Sequence, residues 1–410
     1  MFRSLFLFVL LSFSGYAQKG HPKINTKASQ IDSLLWDLDQ LSNAPEVKWI
    51  DRAGTVQSLL YKGVDYEGHA TQIFAYYSNP ALLKGKPTGK SKFPGVVLIH
   101  GGGGKAFKEW VEKWAADGYA AIAMDLSGNG PDGKKLELPG ADQSNENKFE
   151  KIESANLKDV WSYQAVAASI LAHSFLLSLP EVDKSKTCVT GISWGGYLTC
   201  IVGSLDNRFK AAAPVYGCGF YDESDVFKVS LNNLSLAGKN RWMRYFDPSA
   251  YLRFAQPEFI FVNGNKDRFY NVLPYSKTCN LIPENKRTVL LLPNMYHSHP
   301  HGWEPHEIRY FFESVINDNA PLAKVGKAIA NGTEITAGYH APVSLWSADF
   351  YYSNDTLSDN EKRIWAKQKV IIDKEKQILT TAKPVDGYKY GFFYLRDHRN
   401  LSASSEFIFP

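Results

Sequence analysis

TCVTGISWGG, residues 187–196, decides how this chain is read. Its first five residues form an apolar run suited to a strand, and the stretch after Gly195 has the character of a helix. The turn between them fits the pattern G-x-S-x-G. A serine placed on a sharp strand-to-helix turn projects its hydroxyl from the edge of a sheet, and small flanking residues avoid clashes there. The pentapeptide alone is a weak signal. The strand before it and the helix after it make Ser193 a candidate nucleophile.

Working outward, the chain alternates between two patterns. GVVLIH (95–100), YAAIAMDL (119–126), KAAAPVYG (210–217), EFIFVNG (258–264) and RTVLLLP (287–293) are continuous apolar runs, the mark of strands buried on both faces. Helical spacing fills the gaps at 107–117, 156–179, after Gly195 and at 306–316. Such alternation predicts an α/β fold with a doubly wound, mostly parallel sheet. VQSLLYKG and TQIFAYYS add two strands in front. Two polar or aromatic stretches, 127–153 and 220–254, follow strands and should lie over the carboxyl ends of the sheet, where open α/β sheets bind ligands.

HGGGG (100–104) ends an earlier strand. Attack on an ester or amide puts negative charge on the carbonyl oxygen. Backbone N–H groups must then point at that oxygen, and a glycine-rich loop allows the close approach. The Trp194 N–H is one expected donor, and Gly102 or Gly103 supplies the other. A phosphate-cradling loop is the rival, but Lys105-Ala106 does not complete the G-K-[ST] ending.

A serine nucleophile needs a base, and the base needs an orienting carboxylate. Asp267 sits in the loop after EFIFVNG, and Asp125, after YAAIAM, is the alternate acid that more naturally shapes the pocket floor. YHSHPHGWEPH (296–306) carries four of the ten histidines. His297 comes first after its strand and is the expected base, with His299 as the alternate. Three alternating histidines could also chelate zinc, but a catalytic metal site usually draws ligands from several elements with carboxylate support, and a complete serine machine makes a metal redundant. No metal and no cofactor are expected.

These motifs resemble the α/β-hydrolase superfamily. More narrowly, the chain resembles the secreted acetyl xylan esterase and dienelactone hydrolase-like group, which borders the prolyl oligopeptidase-type serine peptidases. The resemblance rests on HGGGG with the following AFKEWVEKWAADGYAAIAMDLSGNGP, on GISWGG, on GNKDRF (264–269) and on LPNMYHSHPHGW (292–303). It covers roughly 55–320 and implies Ser193 as nucleophile, Asp267 as acid and His297 as base. Dienelactone hydrolases proper resemble a shorter cytosolic domain with a cysteine nucleophile, so the serine and the export signal here point away from that activity. Prolyl-type peptidases usually carry a β-propeller ahead of the hydrolase domain, for which the stretch before the first strand leaves no room.

The expected function is therefore a secreted serine esterase acting on a small-molecule or oligosaccharide ester. Tyr296 and Trp303 are candidate pocket walls, since aromatic rings pack on the apolar faces of sugars. A prolyl oligopeptidase-like peptidase is the enzymatic alternative, with Glu304 and Glu307 as a possible acidic pair for a free amino terminus. A non-catalytic binding protein on the same scaffold is the other alternative.

The rest of the chain bounds these readings. At 410 residues, 44% hydrophobic and 21% charged, it has ordinary globular composition. A net charge of +4 without a long basic stretch argues against a nucleic-acid partner, and KGKPTGKSK (84–92) reads as a surface loop. MFRSLFLFVLLSFSGYA (1–17) has the charge, apolar run and small residues of a cleavable export signal, placing the protein outside the cell or in the periplasm. No later run is long enough for stable membrane insertion. Residues 18–54 should hold an amphipathic helix over 28–41, ahead of a catalytic domain at 55–320. After Ala320-Pro321, short alternating strands predict an antiparallel β-sandwich-like module over 321–410. The four cysteines read mainly as buried thiols, with a Cys218–Cys279 bridge possible.

Overall fold

The structure is a computed structural model that describes residues 22–25, 27, 34–87 and 89–410. The expected export signal therefore lies outside the described residues, as does much of the expected 28–41 helix. What is described there is one short turn, Leu38–Leu41, capped by Asp37. Trp36 anchors this segment. Its Nε1–H donates to the Tyr163 carbonyl at 3.0 Å, and its ring stacks on Tyr163.

A nine-stranded sheet forms the main body. Its strands are β1 (Val47–Asp51), β2 (Gln57–Lys62), β3 (Gln72–Ser78), β4 (Phe93–Ile99), β5 (Ala120–Met124), β6 (Val182–Ile192), β7 (Ala211–Val215), β8 (Glu258–Lys266) and β9 (Arg287–Tyr296). The order is β1-β2-β3-β5-β4-β6-β7-β8-β9. The first three strands and the β3–β5 pair are antiparallel, and everything from β5 to β9 is parallel. The apolar runs become these parallel strands because helices cover both faces; β5 and β7 are buried along their whole length. β1 escapes the sequence pattern because VKWID is a half-exposed edge strand with charged residues facing solvent. The helices that matter for the site are α1 (Lys108–Ala116), α2 (Trp161–Ser178) and α3 (Trp194–Leu205).

Strand β4 pairs with β5 on one side and β6 on the other. The chain leaves β4 in one direction and returns in the other, so a crevice opens at the carboxyl ends of β4 and β6. HGGGG follows β4 and Ser193 follows β6. The topology alone brings them together.

Beneath the sheet, His173 Nδ1 meets Asp206 Oδ2 at 2.8 Å and His173 Nε2 meets Thr187 Oγ1 at 2.9 Å. This copies a nucleophile–His–Asp arrangement, but all three residues are fully buried, so its role is structural. Arg208 closes the cluster with two bonds to the Asp206 carboxylate, at 2.7 and 2.6 Å. Burial pushes the Asp206 carboxyl up, but His173 and Arg208 pull it below the usual carboxylate range. Arg208 also donates to the Ser42 carbonyl, tying in the N-terminal segment. Asp206→Ala leaves a buried guanidinium uncompensated and is expected to lower the unfolding free energy by about 3–5 kcal/mol, measured by chemical denaturation. A loss under about 1 kcal/mol would mean that Arg208 finds another partner.

The C-terminal strands form two antiparallel sheets. Ile335, Leu379, Phe350, Phe393 and Leu395 are buried in one hydrophobic cluster of this module. The module docks on the edge of the main sheet. Ser404 Oγ accepts the Leu291 N–H at 2.8 Å, and Arg287 pairs with Glu406. Lys266 Nζ donates to the carbonyls of Glu361 and Arg363. All four cysteines are buried and free, so the Cys218–Cys279 bridge is not formed. Among the described residues, no helix is long and apolar enough to cross a membrane.

Candidate active site

Ser193 sits at φ 60°, ψ −118°, a conformation that costs an L-residue energy and persists only when its surroundings hold it. They do so tightly. A Cβ on Gly195 would lie 2.0 Å from the Ile99 carbonyl oxygen, and one on Gly191 would lie 2.3 Å from the Gly195 oxygen. The Ser193 N–H donates to the Val215 carbonyl at 2.9 Å. Strand, turn and helix are thus locked, and the hydroxyl points out of the sheet.

His297 and Asp267 arrive from the ends of β9 and β8. His297 Nε2 lies 2.8 Å from Ser193 Oγ, and its Nδ1 lies 3.0 Å from Asp267 Oδ1. Asp267 is fully buried. Its Oδ1 also accepts the Phe269 N–H at 2.8 Å and the Tyr270 N–H at 3.3 Å, while Oδ2 has no hydrogen-bond partner among the described residues. The imidazole is walled by the rings of Tyr216, Phe269 and Tyr270, with centroids at 4.4, 4.7 and 6.0 Å. Asp125 stands apart from this group. It accepts the N–H groups of Ser127 and Asn129 and shapes the loop after β5.

The glycine loop lies against Ser193, since a Cβ on Gly101 would be 3.0 Å from Ser193 Cβ. Gly102 abuts the Trp194 indole, 2.8 Å from Cδ1 on the same measure. Among the described residues, the N–H groups of Gly102 and Trp194 have no assigned acceptor. The Gly103 N–H, the other expected donor, is engaged by Gln143 Oε1 at 2.8 Å. Of the two loop amides named from sequence, the geometry leaves Gly102 available. Gln143 comes from the polar 127–153 stretch, which folds over the loop.

The histidine-rich segment divides. His297 faces Ser193. Ser298 caps a short helix, α4 (His299–Trp303), by accepting the His301 N–H. His299 turns to the glycine loop, where Nε2 accepts the Gly101 N–H at 3.1 Å. Burial pushes the His299 imidazolium down to about 4, helped by nearby His100 and His297. His301 bonds Ser298, and His306 opens the next helix. Among the described residues, no group of three or more His, Cys, Asp or Glu is placed to hold a metal.

The two expected pocket aromatics part company. Tyr296 is 43% exposed beside His297. Trp303 instead stacks on Trp110 of α1 and meets Phe107 edge-on, packing under His299 rather than forming a free wall. Glu307 is buried and accepts the Ser402 N–H at 2.9 Å, so it is not free to pair with Glu304 around a substrate amine. Sequence reasoning missed Tyr216, Tyr221, Tyr270 and Gln143. Burial pushes the Tyr270 phenol well up; its hydroxyl bonds that of Tyr221 at 3.0 Å and faces Ser193. Only its position three residues after Asp267 could have flagged it. A cavity of about 870 Å³ lies elsewhere, between the start of β9 and the C-terminal module, and none of these groups lines it.

The model of the acetyl xylan esterase (AXE1) family matches residues 37–253, which include the glycine loop and Ser193 but end before Asp267 and His297. Two solved acetyl xylan esterases align with this chain. One from a Paenibacillus species aligns with a TM-score of 0.53 at 22% identity, over 67% of this chain and 91% of that one. One from a Thermoanaerobacterium species aligns with a TM-score of 0.49 at 16% identity, over 63% and 84%. A probable dipeptidyl-aminopeptidase B of Penicillium rubens is 24% identical over 228 residues, 52% of this chain, which spans 22% of that protein's length. With the match covering residues 37–253, more than half of its length, the chain belongs to the acetyl xylan esterase (AXE1) family.

Proposed function

We propose that the protein is a serine esterase that removes small acyl groups, acetyl above all, from a carbohydrate. The observation that carries this reading is the contact of His297 Nε2 with Ser193 Oγ at 2.8 Å, backed by Asp267. His297 takes the hydroxyl proton as Ser193 Oγ bonds the acyl carbon. The N–H groups of Trp194 and Gly102 hold the resulting oxyanion. As the intermediate collapses, the C–O bond to the alcohol breaks and His297 returns its proton to the leaving oxygen. Water, activated by the same imidazole, then hydrolyses the acyl-enzyme. Asp267 keeps the proton of neutral His297 on Nδ1 and stabilises the imidazolium. Buried Tyr270, which faces Ser193 and is backed by Tyr221, favours a small acyl group. The expected export signal at 1–17 fits an extracellular or periplasmic polysaccharide substrate.

A peptidase is the second reading, favoured by the identity to the dipeptidyl-aminopeptidase. The engagement of Glu307 by Ser402 weighs against it. The test is acetate release from acetylated xylo-oligosaccharides beside cleavage of aminoacyl arylamides, with Ser193 followed by a fluorophosphonate label. Acetate release with labelling at Ser193 is expected. Arylamide cleavage without acetate release would replace the esterase by the peptidase. No turnover and no label would leave a binding protein on this scaffold.

A further inference from the structure

His299 is two residues from the expected base, yet it does not face Ser193. Its Nε2 accepts the Gly101 N–H. Gly101 is wedged between this nitrogen and the nucleophile. A Cβ there would be 2.7 Å from the Ile192 oxygen, 3.0 Å from Ser193 Cβ and 3.2 Å from His299 Nε2. The next amide along the chain is that of Gly102. Fixing the Gly101 N–H therefore fixes the peptide that leads into the free donor.

An acceptor nitrogen must be unprotonated, and the surroundings keep it so. The ring is partly buried against Phe107, with centroids 5.0 Å apart, and near Trp303, at 6.4 Å. The titratable groups facing it are His100 and His297, and both disfavour a further positive charge. His100 is itself fixed, with Nδ1 on the Gly101 carbonyl and Nε2 accepting the Leu126 N–H. No carboxylate hydrogen-bonds His299 among the described residues. Gly101 is thus held at both of its backbone groups: its N–H by His299, and by His100 its carbonyl, which shares a peptide unit with the Gly102 N–H.

We propose that His299 is a positioning residue for the oxyanion-holding loop: its neutral Nε2 pins the Gly101 N–H and so aims the Gly102 amide at the oxygen that becomes negative when Ser193 attacks. The inference rests on the esterase reading above. It gives the two histidines separate tasks, since His297 moves the proton and His299 holds the backbone that receives the charge. A loop that must find its geometry during the reaction stabilises the transition state less than one already in place.

The test compares His299→Phe, which keeps a ring but has no acceptor, with His299→Gln, whose Oε1 can stand near the position of Nε2. Turnover of an aryl acetate is measured together with inhibition by a small alkyl boronic acid, which places an anionic boronate oxygen in the loop. His299→Phe is expected to lose about 10- to 100-fold in kcat with KM within about threefold, and to bind the boronic acid more weakly by a similar factor. His299→Gln is expected to recover most of both. An unchanged kcat in His299→Phe overturns the inference. So does a loss that leaves boronate affinity intact, or a Gln variant no better than Phe. If the Phe variant does not fold, His299→Met beside His299→Gln makes the same comparison. A wild-type protein that neither turns over esters nor takes label at Ser193 would instead overturn the esterase reading, a result distinct from either.

Discussion

Ser193→Ala is expected to lower acetate release by roughly 10⁵- to 10⁶-fold, while Asp267→Asn costs at least about 10²-fold and less than the ~10⁴-fold that accompanies a reversed histidine tautomer. In the proposed mechanism, alanine removes the oxygen that forms the acyl-enzyme. It keeps the helix N-terminus and the loop, so ligand binding survives. The Asp267 expectation comes from how its oxygens are used. Oδ1 takes the His297 Nδ1–H and two backbone N–H groups, whereas Oδ2 takes none. An asparagine can keep its oxygen in the Oδ1 position and place its NH₂ where Oδ2 stood. Flipping it would aim N–H groups at the donors of Phe269 and Tyr270. The correct tautomer is thus defended, and the loss is mainly that of the negative charge behind the imidazolium. Initial rates on an aryl acetate for both variants, with circular dichroism to confirm folding, check the order. A tenfold loss or less in Ser193→Ala would place the nucleophile elsewhere. A deeper loss in Asp267→Asn than 10⁴-fold would mean that the amide does flip.

Much of this site was legible because it sits at strand ends. Apolar runs mark β4 to β9, and the residues that follow such runs fall at one edge of the sheet whatever the loops do. Ser193 was named from its G-x-S-x-G turn and Asp267 and His297 from that rule, and the structure brings the three within hydrogen-bond distance in series. What sequence could not give is which way a side chain turns once the strand ends. His297 and His299 have the same chemistry and almost the same position. A cap at Ser298 starts a helix between them and sends their rings to different partners. Gly102 and Gly103 are likewise indistinguishable until Gln143, forty residues on, occupies one amide. Trp303 offered the right chemistry for a sugar face, but packing on Trp110 decides its place. Edge strand β1 was invisible for the opposite reason: half-exposed and charged, it carries no periodic apolar signal. The buried Thr187–His173–Asp206 series is a caution of its own. Residue types and distances match an active site, and only complete burial assigns it to stability.

Gly195→Ala tests the same turn from the side of packing, and it should damage both stability and catalysis. The methyl group would sit 2.0 Å from the Ile99 oxygen and 2.7 Å from the His100 oxygen, both fixed at the end of β4. Neither can yield easily, because β4 is a central strand and α3 is buried along its whole length. Relief requires the helix N-terminus to slide off the sheet, which moves the Trp194 amide away from Gly102 and tilts Ser193 from His297. The expected cost is about 3 kcal/mol or more in unfolding free energy, the upper end for overpacking a filled interior, with at least about 10²-fold lost in kcat. The proper control is Gly133→Ala. Gly133 lies at φ 77° with nothing near its Cβ position, so it carries the backbone cost of a left-handed glycine without the clash. About 1 kcal/mol and unchanged turnover are expected there. If the two variants instead lose stability equally, close approach of helix to strand is not what holds Ser193 in its strained conformation, and the elbow must be maintained through the Ser193–Val215 backbone bond alone.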